Sequence, residues 1–350
     1  MNKFLAADEK YRKQMIEYVR GSVNLPPQSI EKDLWVTQVL HALFSLPVSD
    51  KLIFKGGTSL SKAWGLIDRF SEDIDLAIDP VFLGKPEGDP TKKQIKKLRK
   101  ASSLYVAEDL ADMLRARFAE MGLSEWLTVE AQPNGEGDNT YLEPRQLYVR
   151  YRSLYQDQLG YLLPMIVLEV SARSLLEPVE AVEVQSLLSQ FLSVKDLAPV
   201  PVVTATAGKT MVEKMFLLHE MFSIEGHGLK AGRKSRHLYD LYKMMGHKFA
   251  QDAIADDALW ESIRHHREIY TSVNGMDYSP DVRERLVLVP REDIIDAWRT
   301  DYEQMMRAMI YGEKPSWDEL MQAMKELQER VRKRTTKKAG TQGGMREVGT

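Results

Sequence analysis

The spacing of hydrophobic positions divides the first part of the chain into helices followed by short strands. Residues 7–20 and 29–46 carry apolar side chains at helical intervals, and the prolines between them separate two predicted amphipathic helices. A short apolar run at 51–54 ends at a glycine pair, helical spacing resumes at 58–67, and "IDLAI" at 74–78 alternates as a strand does. The pattern predicts a strand, a glycine turn, a helix and a second strand.

The middle of the chain adds strands, and the remainder is helical. One long helix is predicted from 92 to 121, and alternating stretches at 127–132, 146–153 and 164–173 predict a mixed sheet of about five strands in all. From about Gly208 onward the pattern is helical. We therefore predict an α+β fold, in which a mixed sheet with flanking helices is followed by a helical C-terminal domain. The predicted boundaries are 1–207 for the sheet domain with its N-terminal helices, 208–335 for the helical domain and 336–350 for a disordered tail.

Composition excludes several classes of protein. The 350 residues include no cysteine, which removes disulfide frameworks and thiolate metal sites. No run is apolar enough to span a membrane, and the N-terminus lacks the apolar core of a secretory signal, so we expect a cytoplasmic protein with no membrane partner. The net charge is −3, but basic residues cluster at 92–100, 230–237 and 330–338. One such run is typical of a solvated helix face, whereas three together make nucleic acid a candidate partner.

The strand at 74–78 is accompanied by acidic residues at alternate positions. In an extended chain Asp73 and Asp75 share one face, and the aliphatic residues between and after them share the other. Two neighbouring carboxylates repel each other, and a divalent cation such as Mg²⁺, which prefers oxygen ligands, would cancel that repulsion. Asp79, beside Pro80, is interpreted as a solvated end of the strand.

The glycine turn "KGGTSLSK" at 55–62 stands at the start of a predicted helix. Backbone N–H groups are unpaired there, and glycine permits a phosphate to approach the backbone closely. The alternative is that Thr58 or Ser59 merely caps the helix. The turn and the Asp73/Asp75 pair lie one short helix apart in sequence, so phosphate donors and metal ligands can meet at one end of one sheet.

Three further charged positions interrupt apolar segments. Glu169 lies within the apolar strand "IVLEV", either in a salt bridge to Arg173 or as a third carboxylate suited to two-metal phosphoryl transfer. Lys214 borders the apolar face of a helix, either extending to solvent or directed at a nucleotide phosphate. Arg236 and Asp240 have i,i+4 spacing, so an intrahelical ion pair is the alternative to a role in a site.

These segments together resemble a known family. "KGGTSLSKAWGLIDRFSEDIDLAI" is similar to the first motif of the AbiEii/AbiGii nucleotidyltransferase toxins, a branch of the DNA polymerase β-like superfamily. "IVLEVSAR", "VEKMFLLHE" and "RKSRHLYDLY" resemble the later segments of that family in the expected order. The resemblance runs from about residue 30 to 312, and the spacer between Gly57 and Asp73 is longer than the minimal superfamily pattern.

The resemblance implies a polymerase β-like nucleotidyltransferase fold, an NTP substrate and Mg²⁺, with two ions expected. The expected metal ligands are Asp73, Asp75 and Glu169. The expected nucleotide-binding residues are Lys55, Gly56, Gly57, Thr58, Ser59 and Arg236. The expected catalytic residues are Asp73, Asp75, Lys214 and Asp240.

The expected function is transfer of an NMP unit from an NTP to a hydroxyl, with the tRNA 3′ end as acceptor, by a toxin of a toxin–antitoxin or phage-defence system. Family members of this kind imply a cognate antitoxin protein, and tRNA or another RNA is the expected macromolecular substrate. Two alternatives remain open from the sequence. One is an AMP or UMP transferase that modifies a protein side chain, and the other is a catalytically silent scaffold that binds RNA or a partner.

Overall fold

A computed structural model describes residues 3–23, 25–85, 88–137, 140–155, 163–192 and 198–342 of the chain. The chain divides into a first unit, Met1–Thr206, and a second unit, Ala207–Thr350. All strands of the described residues belong to the first unit, whereas the described elements of the second unit are helices.

The strand-like segments of the sequence assemble into one mixed sheet. Its seven strands, among the described residues, are β1 Leu52–Lys55, β2 Ile74–Ile78, β3 Leu127–Ala131, β4 Arg145–Tyr151, β5 Met165–Ser171, β6 Val179–Val184 and β7 Val200–Ala205. Their order is β3-β4-β5-β2-β1-β7-β6, and only the β2–β5 and β1–β7 pairs are parallel. The predicted mixed sheet is thus confirmed.

The predicted number of about five strands is wrong, because β6 and β7 were missed. Strand β7 contains Pro201, which has no N–H to donate to a ladder and argues against a strand inside a sheet. It is tolerated because β7 pairs with β1 only near Phe54 and Thr204, away from the proline. Strand β6, which reads VEAVEV, lies at the sheet edge, and its apolar residues at 179, 181, 182 and 184 do not follow the strict two-residue alternation that indicates a strand.

In the first unit helices flank the sheet, and in the second unit the described elements are all helices. In chain order they are α1 Lys3–Ala6, α2 Glu9–Arg20, α3 Pro27–Leu43, α4 Gly56–Lys62, α5 Lys92–Tyr105, α6 Ala111–Glu120, α7 Leu187–Phe191, α8 Ala207–Phe222, α9 Arg236–Met244, α10 Lys248–Ala255, α11 Asp257–Tyr270, α12 Ile295–Ala308 and α13 Trp317–Gln342. One π-helical turn joins α5 to α6 without a break, which confirms the long helix predicted at 92–121. Helix α10 was not predicted.

The two faces of β2 differ as its alternation predicts. Ile74, Leu76 and Ile78 are completely buried, whereas Asp75 is half-buried on the opposite face. Asp73 stands immediately before the strand, because β2 begins at Ile74.

Helix α3 is not amphipathic, contrary to the prediction. It packs against α2, α6, α7 and the sheet, so nearly all of its residues are buried, including Glu31 and Lys32. A helix enclosed on all sides must satisfy its charged groups internally. Glu31 accepts hydrogen bonds from the Ser153 hydroxyl at 2.6 Å and the Leu154 N–H at 2.7 Å. Burial raises the pKa of Glu31, while these two hydrogen bonds act to lower it.

The second unit has its own buried polar groups. Glu220 pairs with Arg267 and accepts a hydrogen bond from the Tyr278 hydroxyl at 2.7 Å. Burial lowers the pKa of His219 to about 4, so its imidazole is neutral at pH 7 and accepts a hydrogen bond from the Val287 N–H.

Helix α13 continues through 336–342, which were predicted to belong to the disordered tail, and residues 343–350 lie outside the described residues. Among the helices that the structure describes, none has the length and apolar character needed to cross a membrane.

Candidate active site

Four neighbouring strands place a row of polar side chains on one face of the sheet. Lys55 on β1 is paired in register with Asp75 on β2, which is paired with Glu169 on β5, which is paired with Gln146 on β4. Residues paired in register point to the same side of a sheet. The structure therefore brings the carboxylates of Asp75 and Glu169 side by side, with a lysine on one side and an amide on the other.

The glycine turn touches the acidic strand. Gly56 has a φ of +79°, and a β-carbon at this position would overlap the Asp75 carboxylate. A β-carbon on Gly57 would lie 2.7 Å from Nη2 of Arg69 and 2.9 Å from the Ser71 hydroxyl oxygen. The two glycines thus permit a carboxylate and a buried guanidinium to pack directly against the backbone of the turn.

The hydroxyls of the turn are bound internally. Thr58 Oγ1 donates to the Asp73 carbonyl and contacts the Ser71 hydroxyl at 2.9 Å, while Ser59 Oγ donates to the Gly56 carbonyl at 2.9 Å. Both side chains are completely buried, and helix α4, which begins at Gly56, has no side-chain cap at the N-cap residue Lys55. The Thr58 hydroxyl therefore holds the turn against the chain at Asp73, the Ser59 hydroxyl bonds within the turn, and neither caps helix α4.

The two paired carboxylates have different partners. Glu169 Oε1 accepts a hydrogen bond of 2.6 Å from Gln146 Nε2, and Arg173 is not its partner. The Asp75 carboxylate makes no hydrogen bond or ion pair with a described side chain, and the same holds for the ammonium of Lys55. A half-buried carboxylate beside a second carboxylate is electrostatically unfavourable unless a cation lies close to both.

A divalent cation would fit the chemistry of this donor set. Asp75 and Glu169 supply carboxylate oxygens, the ligands that Mg²⁺ prefers, and Asp73 lies two residues before Asp75. Among the described residues, however, no group of three or more His, Asp or Glu side chains is gathered in an arrangement that could hold a metal ion. The fit therefore rests on the Asp75–Glu169 pair.

Two ion pairs from helix α3 hold the segments that flank this pair. Lys32 forms an ion pair with Glu72, the residue before Asp73. Asp33 forms an ion pair with Lys62, the last residue of α4, and accepts a hydrogen bond from the Leu187 N–H. Lys32, Asp33 and Glu72 were not predicted as parts of the site, although consecutive charges inside an otherwise apolar helix were a visible signal.

In the second unit Lys214 and Asp240 are brought together. Lys214 Nζ on α8 lies 2.9 Å from the carboxylate of Asp240 on α9 and 3.2 Å from Nδ1 of His237. The exposed fractions of Lys214 and Asp240 are 7% and 0%, so the lysine does not extend to solvent. Arg236 forms no ion pair with a described residue, so the i,i+4 pair with Asp240 is not formed. His237 was not predicted, because its contact with Lys214 joins two helices.

Two comparisons with known proteins find nucleotidyltransferase toxins. The profile of the family described as nucleotidyl transferase AbiEii toxin, type IV toxin–antitoxin system, matches residues 38–323. A solved structure of MenT4, a nucleotidyltransferase toxin from Mycobacterium tuberculosis H37Rv, is similar with a TM-score of 0.45 and 17% identity, covering 92% of this chain and 87% of that one. No curated protein sequence matched the chain.

The family profile spans most of the chain and includes the glycine turn, Asp73, Asp75, Glu169, Lys214 and Asp240. The chain therefore belongs to the AbiEii family, the nucleotidyltransferase toxins of type IV toxin–antitoxin systems.

Proposed function

We propose that this nucleotidyltransferase depends on Mg²⁺ and transfers an NMP unit from an NTP to the 3′ hydroxyl of tRNA. In that reaction the hydroxyl oxygen forms a bond to the α-phosphorus, and the bond between the α-phosphorus and pyrophosphate breaks. The observation that supports the proposal most directly is the adjacency of Asp75 and Glu169 beside the glycine turn, since the Asp75 carboxylate has no hydrogen-bond or ion-pair partner among the described side chains.

Asp73, Asp75 and Glu169 are the residues that would hold Mg²⁺. When bound, the metal would supply activation of the attacking hydroxyl and neutralise charge on the phosphates. The contribution of the chain is to keep the carboxylates in place. The cross-strand register fixes Asp75 beside Glu169, and the Thr58 hydroxyl fixes the backbone at Asp73.

The glycine turn is proposed to bind the β and γ phosphates through its backbone. The side-chain hydroxyls of Thr58 and Ser59 already donate to carbonyls, so the donors that remain are backbone N–H groups at the start of α4. Lys55, which has no described ion-pair partner, would add a mobile positive charge.

Lys214, Asp240 and Arg236 are proposed to contribute to the same reaction. A lysine that is buried beside a buried aspartate is held in one orientation, which suits a charge that must be ready as pyrophosphate departs. Arg236 is half-buried and offers a second cation for the nucleotide. Substitution of Lys214 by methionine is expected to abolish transfer.

RNA is favoured as the acceptor by the charge on helix α5. Lys92, Lys93, Lys97 and Lys100 are exposed and form no ion pair with a described residue. A polyanionic RNA backbone is the partner that such a helix attracts. The family also implies an antitoxin protein as a partner.

The test is a transfer assay with each α-labelled NTP in turn, in the presence of Mg²⁺, total tRNA and cell lysate. Label is expected in tRNA, with complete loss in the Asp73→Asn/Asp75→Asn variant and after chelation of the metal. Label in a protein band would instead support the alternative of an AMP- or UMP-transferring enzyme. No label from any NTP, or equal label from the double variant, would contradict the proposal.

A further inference from the structure

Gln146 lies in direct contact with Glu169, one of the two paired carboxylates. It is half-buried on β4, in register with Glu169. Its Nε2 donates to Glu169 Oε1 at 2.6 Å, and its Oε1 accepts a hydrogen bond of 3.1 Å from the hydroxyl of Tyr148. The three side chains form a chain of hydrogen bonds that ends at Glu169.

Each hydrogen bond in this series restricts the orientation of the side chain that follows it. The Tyr148 hydroxyl fixes which end of the Gln146 amide points toward Glu169, because the amide oxygen is the acceptor. The amide N–H then holds one oxygen of Glu169 and leaves the other without a described donor. Without that hydrogen bond Glu169 would be free to turn away from Asp75, because adjacent like charges repel each other.

We propose that Gln146 and Tyr148 are positioning residues, which hold Glu169 beside Asp75 so that both carboxylates are ready for one divalent cation. The inference rests on the proposed function for the identity of the cation. It assigns these two residues no contact with the reacting atoms. Outer residues that orient a metal ligand by a hydrogen bond typically change metal affinity by a factor of ~10 to 100 when they are removed.

A purely structural role for the same hydrogen bonds makes a different prediction. Cross-strand pairs stabilise a sheet wherever they occur, and their loss lowers the free energy of unfolding without altering a metal site. The same sheet face offers a matched control in Glu130 on β3, whose carboxylate pairs with Arg150 on β4 at 3.2 Å. Glu130→Gln removes a cross-strand contact one strand farther from Asp75.

The experiment titrates the full-length chain with Mn²⁺ alone and measures free Mn²⁺ by electron paramagnetic resonance. The variants are Gln146→Leu, Tyr148→Phe, Glu130→Gln and Asp75→Asn, each checked for folding by circular dichroism. We expect the Mn²⁺ midpoint to rise by about tenfold or more in Gln146→Leu. A smaller rise in the same direction is expected in Tyr148→Phe, none in Glu130→Gln, and loss of binding in Asp75→Asn.

The outcomes separate this inference from the proposed function. A wild-type midpoint in Gln146→Leu overturns the inference, and if that variant does not fold, a wild-type midpoint in Tyr148→Phe overturns it. An equal rise in Glu130→Gln also overturns it, since the effect would then belong to the sheet. The titration needs no nucleotide, so a failure of the transfer assay does not affect it. If the wild-type protein transfers NMP but the Mn²⁺ midpoint of Gln146→Leu is unchanged, the positioning role alone is rejected.

Discussion

At the scale of single residues, the contact between Gly56 and Asp75 gives the sharpest prediction. Gly56 and Gly65 both have positive φ, at +79° and +61°, but a β-carbon on Gly65 would meet nothing within 4 Å. Alanine in this backbone region costs about 1–2 kcal/mol. We expect Gly65→Ala to lose about that much stability and to keep its activity. Gly56→Ala should lose more stability and all transfer, because the new methyl group displaces the Asp75 carboxylate.

Denaturant unfolding and the labelled-NTP assay measure the two effects separately. Gly65→Ala serves as the matched control for backbone strain, since it changes the same residue type in the same region of φ. Equal stability loss and equal activity in the two variants would show that Gly56 serves only the backbone conformation. In that case the close approach of Asp75 to the turn is not needed for nucleotidyl transfer.

Single residues also show how much of the candidate site could be predicted from the sequence. Asp73, Asp75 and Glu169 were recognisable because an acid inside an apolar strand is conspicuous, and the structure pairs Asp75 with Glu169. Gln146 and Arg69 were not recognisable, because a glutamine in an alternating strand and an arginine in a loop are ordinary in sequence. Their importance arises from strand register and from packing against Gly57, which only the folded chain displays.

At the scale of elements, helix α3 acts as an anchor for the chain segments around the acidic pair. Lys32 and Asp33 form buried ion pairs with Glu72 and Lys62, which precede Asp73 and end α4 respectively. Removing one partner of a buried pair leaves an uncompensated charge and costs about 3–5 kcal/mol. We expect Lys32→Met to be destabilised by about that amount and to lose transfer.

Exchanging the two charges tests whether the Lys32–Glu72 ion pair itself maintains stability and transfer. The double variant Lys32→Glu/Glu72→Lys should recover part of the stability and part of the transfer that Lys32→Glu loses. Arg20→Met is the control, because its pair with Glu17 is about half exposed and such pairs contribute only about 0–1 kcal/mol. Unfolding curves that are equally shifted in Lys32→Met and Arg20→Met would contradict the anchor role.

Element prediction from sequence succeeded where periodicity was strong and failed where context overrode it. The strands at 52–55 and 74–78 and the helix from 92 onward followed from spacing alone. Strand β7 was missed because Pro201 argues against a strand as long as the pairing of its neighbour is unknown. In the structure β1 pairs with β7 near Thr204, away from the proline. The polar residues of α3 predicted a solvated face, whereas salt bridges to distant segments allow that face to be buried.

At the scale of the whole molecule, the distribution of charge matters more than its sum. The net charge of −3 by itself neither favours nor excludes RNA, whereas Lys92, Lys93, Lys97 and Lys100 of α5 are exposed and form no ion pair with a described residue. Other exposed lysines are neutralised, since Lys248 pairs with Asp252 and Lys333 pairs with Glu329 at i,i+4 spacing. Segregated charge of this kind produces a local field that a mixed surface lacks.

This difference predicts a specific salt dependence of RNA binding. Each lysine that contacts a phosphate releases counterions, so its loss reduces the slope of log K against log salt concentration by about 1. We expect Lys93→Gln/Lys97→Gln to bind tRNA more weakly and with a slope shallower by about 1–2, as measured by fluorescence anisotropy at several salt concentrations. Lys248→Gln/Lys333→Gln removes the same formal charge from paired lysines and should keep the wild-type slope. Identical slopes in all three proteins would mean that α5 does not contact the RNA backbone, and tRNA would then have to approach the chain by another surface.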